Sequence, residues 1–249
     1  MELLEILNAN GSGSGLFKRR VDVHRDGDLH GCAHVWVIRN LQPDGRFEVL
    51  LQQRGLDKDA YPGFLDTSCA GHVKAGETYF STAVRELDEE LGVREPDDLI
   101  FMFDQRVEWE SEFHGRRFIN REIDRVYTMI VSKPAEKFDF RQSEVLSVCW
   151  QDAGEVLTAL KNGDPRYCIQ LPLFEKLIGK VASMREYTIH IADTAFATAH
   201  DTGSVKPSYH QTYTYFGTEE AAALCAQLYV DEFNEDASPY LPSVTYWLA

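Results

Sequence analysis

The chain has 249 residues, 44% of them hydrophobic and 26% charged, near globular averages, which excludes a fibrous or wholly disordered chain. Forty acidic residues against 25 basic ones give a formal net charge of −15, a surface that repels a phosphate backbone and argues against a nucleic-acid coat protein. No apolar run reaches the ~18 residues that span a bilayer, and the acidic start lacks the basic flank and apolar core of a signal peptide. Five scattered cysteines without a C-x-x-C pair fit buried thiols in a reducing cytoplasm, not disulfides or a cysteine-rich zinc site.

Residues 3–7 read as a short strand, followed by a glycine-rich turn over 8–15 in which Asn10-Gly11 is a hairpin signal. Two β-rich apolar runs, 32–38 and 47–51, flank the turn chemistry Gln42-Pro43-Asp44-Gly45 and predict a second hairpin. Tyr61-Pro62-Gly63 breaks the chain before an extended stretch over 64–69. The strongest helix spans 78–91, with Gly92 where a left-handed cap residue belongs. Strands follow at 99–103, 125–131 and 145–150, and helices at 152–160 and 171–181. The elements mix without a regular βαβ rhythm, so the expected class is α/β with a mixed sheet flanked by helices. The character changes near Ser183. Strands at 186–196, 210–216 and 243–248 and an alanine-rich helix at 218–233 predict a small α+β extension over 183–249, without a chemical motif, after a domain over 1–182.

The chemistry concentrates in residues 71–93, GHVKAGETYFSTAVRELDEELGV. On a helix, Phe80, Ala83, Val84, Leu87 and Leu91 follow the spacing of a buried stripe. Glu86, Glu89 and Glu90 lie at i, i+3 and i+4 and converge on the opposite face, where each like-charge pair costs about 0.2–0.5 kcal/mol. A hard divalent cation turns that cost into binding, because Mg²⁺ favours a few carboxylates plus phosphate oxygens. The plain alternative is a solvated acidic face. Gly71, whose bare backbone can bring a carbonyl near a metal, and Glu77 and Arg85, which can bridge the preceding loop to the helix, favour a built site.

Position for position, this segment matches the Nudix signature G-x5-E-x7-R-E-U-x-E-E-x-G-U, U being apolar, through Gly71, Glu77, Arg85, Glu86, Leu87, Glu89, Glu90, Gly92 and Val93. Chance agreement at average residue usage is below about one in 10⁸ per start point. The resemblance implies an α/β/α sandwich and hydrolysis of a diphosphate-linked small molecule by attack of water at phosphorus. It also implies Mg²⁺ or Mn²⁺ held by Glu86, Glu89 and Glu90 with the Gly71 carbonyl assisting, and Glu77–Arg85 as a structural pair.

Upstream residues, among them Val23-His24-Arg25-Asp26-Gly27, His30, Trp36, Gln53-Arg54, Lys58 and Ala70-Gly71-His72, resemble the branch related to isopentenyl-diphosphate isomerase, over roughly 1–180. That resemblance implies a second metal on His24, His30, His72 and Glu122, and diphosphate-holding bases at Arg54, Lys58 and Arg20. Isomerases place a catalytic cysteine directly before Gly-His, where this chain has Ala70. Cys69 stands one residue early, on the opposite face of a strand. Asn120 stands where a second glutamate would precede Glu122, while all three helix glutamates are present. The balance favours hydrolysis, with Glu144 as candidate general base and Glu122 and Glu86 as competitors. The expected substrate is a nucleoside di- or triphosphate or an isoprenoid diphosphate. Neither nucleic acid nor membrane is expected as a partner, and a homodimer is left open. Isomerisation and non-catalytic diphosphate sensing are the alternatives.

Overall fold

The computed structural model describes residues 2–58, 60–96, 99–113, 115–131, 138–139, 144–193, 210–236 and 244–248. It divides into two compact units, 1–182 and 183–249. No described helix is long and apolar enough to cross a membrane.

The first unit opens with a two-stranded antiparallel hairpin, β1 (Leu3–Leu7) and β2 (Gly13–Arg19), joined through Asn10-Gly11. A seven-residue helix of about two turns, α1 (Arg20–Asp26), follows. The main sheet is built from β3 (His30–Arg39), β4 (Glu48–Arg54), β5 (Leu65–Asp66), β6 (Cys69–His72), β7 (Leu99–Phe113), β8 (Arg116–Ile130) and β9 (Val145–Asp152). Its order is β5-β4-β3-β8-β7, with β6 on β3 and β9 on β4. β3 runs parallel to β8 and the other pairs are antiparallel, so the sheet is mixed. The 42–45 turn does join β3 to β4, but they pair at just Ile38↔Val49 and Arg39↔Glu48, while β4 pairs along its whole length with β9 on its other edge.

Strand alternation gives β3 two characters. Ala33, Val35 and Val37 join Leu50, Cys69, Tyr127 and Met129 in a core cluster closed by Ala83, Leu87 and Leu91 of helix α2 (Tyr79–Leu91). On the other face Trp36 packs against Phe174 of helix α4 (Leu171–Ala182), ring centroids 5.3 Å apart, with helix α3 (Ala153–Lys161) preceding it. Helices therefore cover both faces of the sheet, the expected sandwich. Thr78 caps α2 in a reciprocal box with Ser81, and Gly92 closes it at φ 70°, a left-handed angle that suits glycine. Asp152 caps α3 by accepting from the Glu155 amide.

Three expectations on this unit need correction. The 8–15 turn is shorter than read, because Gly13–Arg19 pairs with β1, and α1 carried no periodic signal at seven residues. β7 and β8 are 15-residue strands where five- and seven-residue runs were expected. Their outer halves alternate charged with apolar or polar residues (Glu108-Trp109-Glu110) and are tied across by Arg117–Glu110 at 2.6 Å and Arg125–Asp104 at 2.8 Å, so charge density masked a period-two pattern. On α2, Phe80 is 55% exposed while Glu86 and Glu90 are 7% and 3% exposed. The acids share the buried side rather than oppose it.

The second unit is a three-stranded antiparallel sheet, order β11-β10-β12, of β10 (Arg185–Asp193), β11 (His210–Gly217) and β12 (Val244–Leu248). Helix α5 (Glu219–Asp236) packs Ala222, Ala226 and Val230 onto Tyr187, Ile189 and Ile191. The expected strand residues 194–196 and Ser243 lie outside the described residues.

Removing the α2 cap with Thr78→Ala should cost about 1 kcal/mol. Leu87→Ala, which empties a fully buried position, should cost about 2–5 kcal/mol. Both are read as a lowered urea midpoint at constant m.

Candidate functional site

A cavity of about 760 Å³ opens between the end of α2, β3, β6 and the β7–β8 hairpin. Of the residues singled out from sequence, Arg20, His24, Arg54, Lys58, Gly71, His72, Arg85, Glu86, Glu89, Glu90, Glu122 and Glu144 line it. His30 lies behind the wall, fully buried. Glu77 stands behind Arg85.

The α2 acids are held from three directions. Arg85 clamps the loop to the helix: its Nε donates to Glu77 Oε1 at 2.9 Å, its Nη2 to Glu77 Oε2 at 3.0 Å and to the His72 carbonyl at 3.2 Å. Its Nη1 reaches Glu86 Oε1 at 2.5 Å and Glu89 Oε2 at 2.9 Å. Thr82 and the Lys74 amide also donate to Glu77. Glu90 accepts from Gln52 at 2.9 Å and from the Ala70 amide at 3.3 Å. Lys58 bridges Glu90 at 3.4 Å and Glu144 at 3.1 Å, and the Glu144 carbonyl accepts from the Gly55 amide at 2.8 Å. The Glu86 carboxylate lies so close over Gly71 that a Cβ there would collide with it. Any other residue would push the carboxylate off the backbone. Burial, reinforced by the neighbouring charge of Glu90, outweighs Arg85 and lifts the Glu86 carboxyl to about 7. Burial also raises Glu90 against Lys58. Two buried acids, Glu86 over the bare backbone of Gly71 and Glu90 beside the Ala70 amide, offer an all-oxygen donor set that fits a hard divalent cation.

The second predicted cluster is also assembled. His24, His30, His72 and Glu122 present one ligand atom each within 4.8 Å of one another. α1 supplies His24, β3 and β8 place His30 opposite Glu122, and β6 brings His72. His30 and His72 each lie 3.3 Å through Nε2 from Glu122 Oε1. The Nδ1 atoms of His24 and His30 lie 2.9 and 3.0 Å from the Arg20 and Asp28 carbonyls. Those contacts assign the proton to Nδ1 and turn Nε2 lone pairs inward. Both inward nitrogens are buried without a hydrogen-bond partner, which fits a borderline-soft cation. Burial, then the His72 charge, lowers His24 to about 4. Burial would raise Glu122, but the two histidines beside it hold its carboxyl well below the usual range. Asn120 donates to Glu122 Oε2 at 2.5 Å, so it steadies the acid.

The basic residues are engaged. Arg54 donates to Asp66 at 2.7 Å and to the Ala60 carbonyl at 3.1 Å, and Arg20 lies 3.8 Å from Glu2. Glu2, which sequence reading passed over, also faces His72 Nδ1 at 3.6 Å; burial raises its carboxyl, but His72, Arg20 and Lys74 together lower it to about 2. Its signal was nil: a terminal residue acquires meaning through the strand that folds it back. The far wall is apolar, with Trp109 stacked on Phe118 at 5.4 Å and Tyr61 edge-on to Trp109 at 5.9 Å. Ala70 lines the cavity while Cys69 points into the core, as the one-residue offset required.

The mixed sheet between helices, with its signature carried on α2, defines a protein class that comparison makes explicit. Residues 32–171 match the NUDIX domain family model. The chain belongs to the Nudix family. It is 39% identical over 171 residues to Nudix hydrolase 3 of Arabidopsis thaliana, covering 67% of this chain but 21% of that protein. It is 30% identical over 170 residues to an isopentenyl-diphosphate Delta-isomerase of Dinoroseobacter shibae, covering 66% of this chain and 90% of the relative. A crystal structure from Deinococcus radiodurans superposes with a TM-score of 0.52 at 19% identity, covering 70% of this chain and 98% of that one, and shares the fold.

The Glu86 shift has a sign that can be checked. Its folded value, about 7, exceeds the ordinary 4.5, so the folded state binds the extra proton and stability falls as pH rises between those values. Glu86→Gln abolishes that dependence. In metal-free buffer it should exceed wild type in stability above pH 7 by up to about 3 kcal/mol, the difference closing below pH 4.5, as read by denaturant melts across pH.

Proposed function

We propose that the unit over 1–182 hydrolyses a small diphosphate-linked molecule with Mg²⁺ or Mn²⁺ as cofactor, water attacking at phosphorus. The observation that carries this reading is the burial of two neighbouring acids, Glu86 against the bare backbone of Gly71 and Glu90 against the Ala70 amide. Glu86, Glu89, Glu90 and the Gly71 carbonyl would hold the ion. When bound, it supplies charge neutralisation of the diphosphate oxygens and lowers the pKa of the attacking water. Glu77 and Arg85 keep the helix and the 71–77 loop in register, so the donors need no rearrangement. Lys58 and Arg54 are assigned to the diphosphate oxygens. Lys58 reaches two acids from its present position, so a short swing exchanges one anion for another. Arg20, at the same cavity wall, is assigned likewise.

The proton acceptor is assigned to Glu144. Glu122 is tied to two histidines and Asn120, and Glu86 to Arg85, whereas the Glu144 side chain is 37% exposed and can pass a proton from its carboxylate oxygen to solvent. His24, His30, His72 and Glu122 would hold a second, softer divalent ion. The Trp109–Phe118–Tyr61 wall suits the organic half of the substrate, either a stacked nucleobase or a prenyl chain. Five free thiols favour a cytoplasmic location.

A second reading, isomerisation of isopentenyl diphosphate, draws on the histidine cluster and on what the Dinoroseobacter relative is named for. It requires a thiol directly before Gly71-His72, where Ala70 stands. The two separate in one experiment. A panel of nucleoside di- and triphosphates and isoprenoid diphosphates is assayed for phosphate release with Mg²⁺, Mn²⁺ and no metal, and isopentenyl diphosphate products are read by proton NMR. Hydrolysis predicts metal-dependent phosphate. Glu89→Gln and Glu90→Gln should each lower it by more than the ~100-fold that loss of a supporting partner costs, with circular dichroism unchanged. Full turnover in those variants, an allylic diphosphate product, or tight binding without turnover across metals and pH would each overturn the reading.

A further inference from the structure

Two polar clusters occupy consecutive rungs of the β3–β8 ladder, and the assignments above use one of them. In the parallel register His30 stands opposite Glu122, and Cys32 opposite Asp124. Strand alternation puts Cys32 and His34 on the same face as His30. The Cys32 thiol, a ring nitrogen of His34 and a carboxylate oxygen of Asp124 lie within 4.8 Å of one another. All three residues line the cavity, with Cys32 5% and Asp124 2% exposed.

These groups do not satisfy each other. His34 Nε2 approaches Asp124 Oδ2 to 3.6 Å, longer than a hydrogen bond. Asp124 Oδ1 and His34 Nδ1 are buried without a hydrogen-bond partner. The basic neighbours of Asp124 on β8 are spent elsewhere: Arg125 pairs with Asp104 at 2.8 Å, and Arg121 donates to the Gly27 carbonyl at 3.1 Å. Burial and the charge of Glu122 raise the Asp124 carboxyl well above its usual range, so without a cation it stays a neutral acid with one oxygen unpartnered. A cation placed between the three atoms would satisfy thiol, imidazole and carboxylate together.

We propose that Cys32, His34 and Asp124 form a metal site of their own, selective for a soft divalent ion of the zinc class. Thiolate, imidazole and carboxylate make a three-ligand set whose fourth position faces the cavity, the composition zinc favours and magnesium does not. On binding, the Cys32 thiol and the Asp124 carboxyl each give a proton to solvent and coordinate as thiolate and carboxylate, and neutral His34 coordinates through one ring nitrogen. Two residues along a strand rise about 6.5–7 Å, which keeps this ion apart from one on the His24–His30–His72–Glu122 rung. The cavity thus grades from all-oxygen donors on α2, through imidazole-rich donors, to a sulfur-bearing set on the sheet. The site stands independently of the hydrolytic reading, and its readout involves no turnover.

Cobalt(II) tests it, because thiolate ligation alone gives a sulfur-to-cobalt charge-transfer band in the near ultraviolet. Metal-free full-length protein in excess Mg²⁺ is titrated with Co²⁺. The expected result is that band, saturating with one bound ion and bleached by stoichiometric Zn²⁺. Cys32→Ser should lose the band, Asp124→Asn and His34→Gln should weaken cobalt binding at it by at least about 100-fold, and the double variant His24→Gln/His72→Gln should keep it. Absence of the band in wild type, its survival in Cys32→Ser, or its loss in the folded double variant would overturn the proposal. Should circular dichroism find Cys32→Ser misfolded, His34→Gln decides: unchanged affinity there overturns it equally.

Discussion

The structure turns on burying two carboxylates against strand β6, one over Gly71 and one at the Ala70 amide. Glu86 and Glu90 sit on the packed side of α2, and water is denied them without an equal supply of positive charge. Everything nearby serves that placement. Gly71 yields the volume that the Glu86 carboxylate fills, Arg85 splits its guanidinium between the loop acid Glu77 and the helix acids, and Gln52 and the Ala70 amide donate to Glu90. Lys58 spans from Glu90 to Glu144, so the mouth of the cavity is charge-linked to its floor. Such an arrangement is costly by itself, unlike the solvated face of an acidic helix.

The parallel pairing of β3 with β8 organises the rest of the cavity. Because side chains alternate, the even-numbered residues His30, Cys32, His34 and Trp36 form a column facing away from α2, while Ala33, Val35 and Val37 build the core beneath it. Register then sets Glu122 and Asp124 beside that column at matching heights. The same alternation decides the neighbouring strand β6, where Cys69 is committed to the core and Ala70 to the cavity. One residue of register thus separates a wall that could carry a reactive thiol from one that cannot.

The β7–β8 hairpin extends well past the sheet and supplies the apolar wall. Trp109 and Phe118 stack across its two strands, and Tyr61, held at φ 51°, leans against Trp109 from the β4–β5 connection. Charges on the outer face hold the hairpin extended by cross-strand pairs, leaving its inner face apolar. The polar and the aromatic sides of the cavity therefore come from different elements, which lets one vary while the other is kept.

The linear order of residues determined the parts whose cause is local. The α2 helix with its cap at Gly92, the turn at 42–45, the mixed order of elements and the spacing of Gly71, Glu77, Arg85 and the three glutamates are all set within one or two helical turns. The histidines could be named through family likeness, but nothing in their spacing joins His24 to His72. Folding alone decided that α1, a helix too short for periodicity to reveal, brings His24 to the sheet, and that Glu2 returns to His72. It decided that charged stretches around 104–124 are strand, because the ion pairs that hold them form only when both strands are present. It also decided that Cys32, His34 and Asp124 meet, since a parallel register joins residues some ninety positions apart that share no local interaction before the sheet closes.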